Sequence, residues 1–218
     1  MRLRDYAWRR AGKGEAVEFV AVLNGQVRPS PLDSNTVQLW SAPLPFYADT
    51  ELVRIVDQSR GAPNARLALS AGGQAVLLDH SNVPIYRHNA RVGMRISAAN
   101  AAAYAAFFFD HVGGAHGRFL IVESARELAW QPDADPAAIA SAALEIRPVT
   151  LRGVEKDAFL LSATVVFKTG LFHGEIRVAP DGRVDMLSEA VLVDRLPVRP
   201  DCTKATDPFH AASEGQLY

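Results

Sequence analysis

The stretch Phe107 to Ser124, FFFDHVGGAHGRFLIVES, holds the densest chemistry in the chain: Asp110, His111 and His116, with Arg118 close behind. Imidazole and carboxylate suit zinc or iron, and histidine titrates near neutral pH, so a metal site or an acid/base pair of His111 and His116 is one reading. A metal centre wants three or four ligands, and two histidines separated by a flexible Gly113-Gly114 pair fix no geometry. A phosphate cradle needs glycines between a strand and a following helix, whereas these glycines follow a helix and precede a strand. The bland alternative is a helix stop. Gly113 takes the left-handed position, His111 faces the negative end of the helix dipole, and Gly114 eases the path into the next strand. Asp110 and Arg118 stay as candidates for contact with a ligand.

The second group lies on one face of a predicted antiparallel meander in FLLSATVVFKTGLFHGEIRVAPDGRVDMLSEAVLV (159–193). In its middle strand Phe172, Gly174, Ile176 and Val178 alternate with His173, Glu175 and Arg177, the period of a half-buried strand. The turn Pro180-Asp181-Gly182 predicts Arg177 opposite Asp185, Ile176 opposite Met186 and Val178 opposite Val184. The same register puts His173 opposite Glu189, and the Thr169-Gly170 turn puts Phe167 opposite Phe172 and Thr164 opposite Glu175. A histidine between Glu175 and Glu189 would have its charged form favoured and could act as a base. Arg177 could grip a carboxylate or phosphate, with Ser162 and Thr164 as neighbouring hydrogen-bonding groups. The competing reading is a solvated face held by weak cross-strand ion pairs.

Asp79, His80 and Ser81 are the residue types of an acyl-transfer triad, with Arg87 and His88 following. Adjacent residues cannot form that relay, which needs convergence in space, and the chain has no G-x-S-x-G elbow. Asp-His-Ser-Asn-Val-Pro explains itself as a turn. Cys202, the only cysteine, allows no intrachain disulfide and has no activating neighbours. No residue set calls for a cofactor or a metal.

The elements that must position these groups follow from periodicity. Ser97 to Val112 predicts the main amphipathic helix, with Ser97 or Asn100 as cap and Ala101, Tyr104, Ala105, Phe108 and Val112 as its apolar stripe. Residues 117–124 predict a strand. Asp135-Pro136 starts a short second helix reaching about Leu144. Gly72-Gly73 within RLALSAGGQAVLLD (66–79) predicts a tight hairpin. Asn24-Gly25 after the alternating EAVEFVAVLNGQV (15–27) predicts another. The segment 28–49, rich in proline, predicts loop or edge strand, with Trp40 and Phe46 pinning it. ELVRIVDQ (51–58) fits a strand or a short helix and favours the helix, ending before Gly61, while NVPIYRHN (82–89) reads as a short extended segment with Pro84 limiting its pairing. The expected core contains Leu67, Leu69, Tyr104, Phe108, Phe119, Ile121, Phe167, Phe172, Ile176 and Met186.

The expected fold class is α+β: antiparallel meanders early and late, forming one sheet or two, with both helices packed on sheet. Residues 1–200 are expected to form a single domain, with a possible sub-division near 145–155, and 201–218 a loosely ordered tail. A chain of 218 residues, 49% hydrophobic and 22% charged with net charge −1, has no global attraction to nucleic acid or an anionic membrane. Only MRLRDYAWRR is locally basic, and it reads as a solvated terminus. The lack of an apolar leader and of a run long enough to span a bilayer points to a soluble, cytoplasmic protein. Plentiful arginine and alanine fit a GC-rich, bacterial genome. The expected function is non-catalytic: a binding or interaction domain that uses a sheet face or a helix–sheet pocket for a small molecule or a protein partner, with a homo-oligomer possible through a strand edge. The alternative is a small hydrolytic or acid/base enzyme built on His173 with Glu175 or Glu189, or on His111 and His116.

Overall fold

The computed structural model describes residues 6–27, 31–59, 64–114 and 117–199. His116, Cys202, the tail from 201 and Arg2 and Arg4 of the basic N-terminus lie outside them. The described residues contain four α-helices and two antiparallel sheets, an α+β fold with no closed barrel. They divide into two compact units with the boundary between Arg95 and Ile96, so residues 145–155 lie inside the second unit. Among the described residues no helix is long and apolar enough to cross a membrane.

The first unit opens with β1 (Arg9–Arg10) and α1 (Lys13–Leu23), followed by β2 (Val37–Pro43), β3 (Glu51–Asp57), β4 (Asn64–Ala71) and β5 (Gln74–Leu77), and closes with α2 (Val83–Val92). Its five strands pair in chain order as a meander. The expected hairpin at 15–27 is a helix instead. Buried Ala16, Val20 and Leu23 recur at helical spacing. Glu15 closes a capping box by accepting from the Gly12 N–H at 2.7 Å. Asn-Gly therefore ends a helix here, and the Asn24 side chain accepts from the Leu32 N–H at 2.7 Å and donates to its carbonyl at 3.0 Å.

The segment 51–58 is a strand, not a helix. Leu52 through Val56 are all buried, because β3 lies between β2 and β4 with both faces covered, and such a strand shows no alternation. The Gly72-Gly73 hairpin forms as expected, with Ala71 opposite Gln74 and both glycines at positive φ, 58° and 70°. The segment 82–89 is helical rather than extended. Pro84 sits in the first turn, where its missing N–H costs nothing, and Pro84, Ile85, His88 and Asn89 form the buried face.

The second unit contains α3 (Ala101–His111), β6 (Phe119–Ile121), α4 (Pro136–Glu145), β7 (Thr150–Glu155), β8 (Ala158–Phe167), β9 (Gly170–Val178) and β10 (Val184–Val193). The meander β8–β9–β10 is present, with β6 and β7 also paired to β8. Tyr104 is fully buried and its hydroxyl donates to the Gly182 carbonyl at 2.7 Å. Phe109 meets Phe119 edge-on and Phe119 stacks on Phe167, joining α3 to one sheet face. The other face carries Leu120, Val166 and Leu171, covered by Ala142 of α4, Ile146, Leu128, Leu196 and Val198. Asp135 caps α4 by accepting from the Ala137 N–H at 3.0 Å. Of the expected core, Leu69, Tyr104, Phe108, Ile121 and Ile176 are buried, while Leu67, Phe119, Phe167, Phe172 and Met186 are half-buried.

Candidate functional site

The sheet face of the second unit gathers the expected residues but pairs them differently. Arg177 does face Asp185, with Nη1 3.5 Å from Oδ2, and Ile176 faces Met186. Beyond that a bulge at Leu187 moves the register by one residue, as bulges do. Glu189 pairs with Gly174 and Ala190 with His173, so the His173–Glu189 pair does not exist and the two side chains belong to opposite faces. The β8–β9 turn is also two residues tighter than expected. Phe167 pairs with Gly170, Thr164 with His173 and Ser162 with Glu175. A shift of two residues keeps the faces unchanged.

What His173 meets is a serine: Ser162 Oγ lies 2.8 Å from His173 Nε2. Glu175 accepts from the Ser188 hydroxyl at 2.9 Å. His173, Glu175 and Ser188 are exposed on the pleated surface. Thr164 is buried and committed to the fold: its hydroxyl accepts from the Arg147 N–H at 2.9 Å and donates to the Arg147 carbonyl at 3.2 Å.

At the end of α3, Asp110 and His111 are buried, and His111 stands edge-on to Phe107 with ring centroids 4.7 Å apart. Arg118 donates to the Asp110 carbonyl, so a guanidinium covers one of the helix's last carbonyls. Gly113 does not hold the left-handed position. The helix closes on extended Val112, and the positive φ belongs to Gly117, at 128°. Gly114 and Gly117 exchange backbone hydrogen bonds. Arg118 thus reaches the last turn of α3, and Gly114 and Gly117 close a separate turn beyond it. Among the described residues no three histidine, cysteine, aspartate or glutamate side chains are placed to hold a metal ion.

The turn reading of 79–81 holds. Ser81 donates to Asp79 Oδ1 from its N–H at 2.9 Å and its hydroxyl at 2.7 Å, and the hydroxyl bond is the main reason the Asp79 carboxyl lies below its ordinary range.

Sequence reasoning named His88 beside a triad that could not form, but passed over the group that His88 joins in the first unit. This side chain is 1% exposed, on the buried face of α2. His88 Nε2 lies 2.9 Å from Thr50 Oγ1, and Arg91 Nη2 lies 3.1 Å from His88 Nδ1. A guanidinium only donates, so Nδ1 must accept, and the histidine proton resides on Nε2, from which it is donated to Thr50. Burial, followed by the Arg91 charge, pushes His88 down to about 4. The ring is therefore neutral at physiological pH. Beside it the Tyr47 hydroxyl donates to Asn89 Oδ1, and burial pushes the Tyr47 hydroxyl well above its ordinary value.

Arg91 also donates to Gln74 Oε1, so neutral acceptors on α2 and β5 hold its guanidinium, and among the described residues it has no carboxylate partner. It lines an open depression of about 360 Å³ together with Asp49, Thr50, Gly72, Gln74 and Val92. This is a pocket between a helix, a hairpin turn and the loop before β3. The signals for it were present in the sequence: Pro84 at a first helical turn, His88 and Arg91 three residues apart, and Gly93 after the last turn.

A second depression, of about 320 Å³, opens beside Arg10 and Lys13 at the start of α1. There the Glu15 carboxylate already occupies the Gly12 N–H and pairs with Arg9 at 2.9 Å, so the helix end supplies its own anion.

Comparison of the chain with protein families, with curated proteins and with solved structures gives no significant match.

Proposed function

We propose that the chain is a non-catalytic binding protein whose ligand seats in the helix–sheet pocket bounded by α2, the β4–β5 turn and residues 48–50. The observation that carries this reading is Arg91. Its guanidinium is oriented by Gln74 and His88, it has no carboxylate partner among the described residues, and it borders an open depression. An arginine kept in place by neutral acceptors retains its charge for an incoming group and binds planar acceptors well. The Thr50 hydroxyl, accepting from His88, keeps its own proton to donate. The same tautomer argues against nucleophilic catalysis at Thr50, because a histidine already protonated on Nε2 cannot take the hydroxyl proton there.

The test is a fragment screen by protein-observed NMR. Bound fragments are expected to shift the amides of Thr50, Gly72, Gln74, Arg91 and Val92, and Arg91→Gln is expected to abolish those shifts. Fragments that bind only elsewhere would overturn the reading.

The 2.8 Å contact of Ser162 with His173 favours a second reading, a hydrolytic enzyme acting through a serine–histidine pair on the sheet of the second unit. That pair has the nucleophile and base types, but its histidine is exposed and, among the described residues, has no carboxylate on its second imidazole nitrogen.

A further inference from the structure

We infer that the Arg91 pocket takes a small zwitterion of the α-amino-acid class, with the ligand carboxylate on Arg91 and its ammonium on Asp49. The inference rests on the pocket reading above and narrows it to a ligand class. Asp49 and Arg91 line the same depression, yet they form no ion pair with each other, and among the described residues Asp49 makes no hydrogen bond or ion pair at all. Opposite charges that share a cleft without meeting leave both available, and a ligand bearing both charges at its own fixed spacing can satisfy the two together.

Simple ions fit less well. A lone anion would gain Arg91 but place its charge in a cleft with the Asp49 carboxylate, and a lone cation would face Arg91 in the same way. The cleft is neutral overall and discriminates by requiring a charge of each sign. Its volume of about 360 Å³ lies at the small end of ligand sites, which run from about 300 to 1,000 Å³. Thr50 adds a hydroxyl donor that can serve the same carboxylate as Arg91. The guanidinium is a rigid fork rather than a mobile ammonium, so the carboxylate end is the one that fixes ligand orientation.

The experiment is calorimetric titration of the full chain at neutral pH with the common L-amino acids. Each binder is followed by its des-amino carboxylate and its decarboxylated amine. At least one amino acid is expected to bind about tenfold more tightly than either half-molecule, the worth of one charge-assisted contact. Asp49→Asn is the cleaner variant, since Asp49 supports no other side chain. It is expected to bring the amino acid down to the affinity of its carboxylate analogue while leaving that analogue unweakened. Arg91→Lys is expected to weaken both. If carboxylates bind as well as amino acids, or if Asp49→Asn leaves the difference intact, the zwitterion class is overturned while the pocket reading stands. If no amino acid binds but neutral amides or carboxylates do, the class is again overturned alone. If nothing binds, both fall.

Discussion

Arg91 Nη2 donates to His88 Nδ1 across 3.1 Å, and this contact decides which imidazole nitrogen carries the proton. In a nucleophile–base pair the outer nitrogen is held by an acceptor, which frees the inner one to take a proton. Here the outer partner is a donor, so the arrangement is inverted and Thr50 is served rather than activated. Long-range proton–nitrogen NMR reads the tautomer directly. His88 is expected to show a protonated Nε2 and a bare, accepting Nδ1 near neutral pH. A protonated Nδ1 would break the link from Arg91 to Thr50 on which the pocket reading depends.

The same histidine couples stability to pH. Its folded value is pushed down to about 4 from 6.5 in the unfolded chain. Between those values the unfolded state binds a proton that the folded state refuses, so stability rises with pH across the window. His88 therefore contributes nothing adverse above about 6.5, and acidification toward 4 removes up to about 3 kcal/mol. Arg91 faces the ring, and Tyr47, also packed on it, keeps its proton because burial raises it. Urea unfolding at stepped pH is expected to show this slope, and His88→Gln to flatten it. An unchanged slope in that variant would assign the acid sensitivity to other groups.

How much of this was legible depended on whether a signal was local. The Gly72-Gly73 hairpin, the Asp135 cap and the β9 alternation were read correctly because each is fixed by neighbouring residues. The strand at 51–57 ranked behind a helix because burial on both faces erased its alternation, a consequence of where β3 lies in the sheet. The pairs beside the β9–β10 turn were recovered, Arg177 with Asp185 and Ile176 with Met186, but those beyond the bulge and those across β8 were not. The bulge at Leu187 moves His173 from Glu189 to Ala190, and nothing in the local sequence announces it. The His88 group was missed for a different reason. Pro84 suits both an extended segment of limited pairing and the first turn of a helix, and with α2 unread, His88, Asn89 and Arg91 could not be placed on one helix. Thr50 and Gln74 reach that helix only through the tertiary fold.

Thr164 illustrates how a residue suited to a site can belong wholly to the scaffold. Its hydroxyl both accepts from and donates to the backbone of Arg147, where the chain leaves α4 for β7. Thr164→Val keeps the shape but leaves the part-buried N–H and carbonyl of Arg147 without that partner. The expected cost is about 1–3 kcal/mol, measured by denaturant unfolding. Thr164→Ser, which keeps the hydroxyl, is expected to recover most of it. Equal losses in the two variants would mean that the methyl group, not the hydroxyl, is what matters.

Ser162 and His173 offer the sharpest choice between binding and catalysis, because the second unit contains its own control. Ser162 lies 2.8 Å from an imidazole nitrogen, and Ser188 donates to the Glu175 carboxylate at 2.9 Å on the same sheet face. Each serine thus has a base beside it, and only the imidazole has the proton affinity to activate a hydroxyl near neutral pH. Activation also requires the imidazole to be oriented by a group on its other nitrogen and the oxyanion to be stabilised by donors, and an exposed sheet face supplies neither. A fluorophosphonate probe applied near pH 8 is therefore expected to label Ser162 no faster than Ser188, as read by peptide mass spectrometry. Selective labelling of Ser162 that disappears in His173→Ala would install acyl transfer in place of binding as the function of that face. It would also show that Ser162 is activated without the carboxylate that a triad supplies.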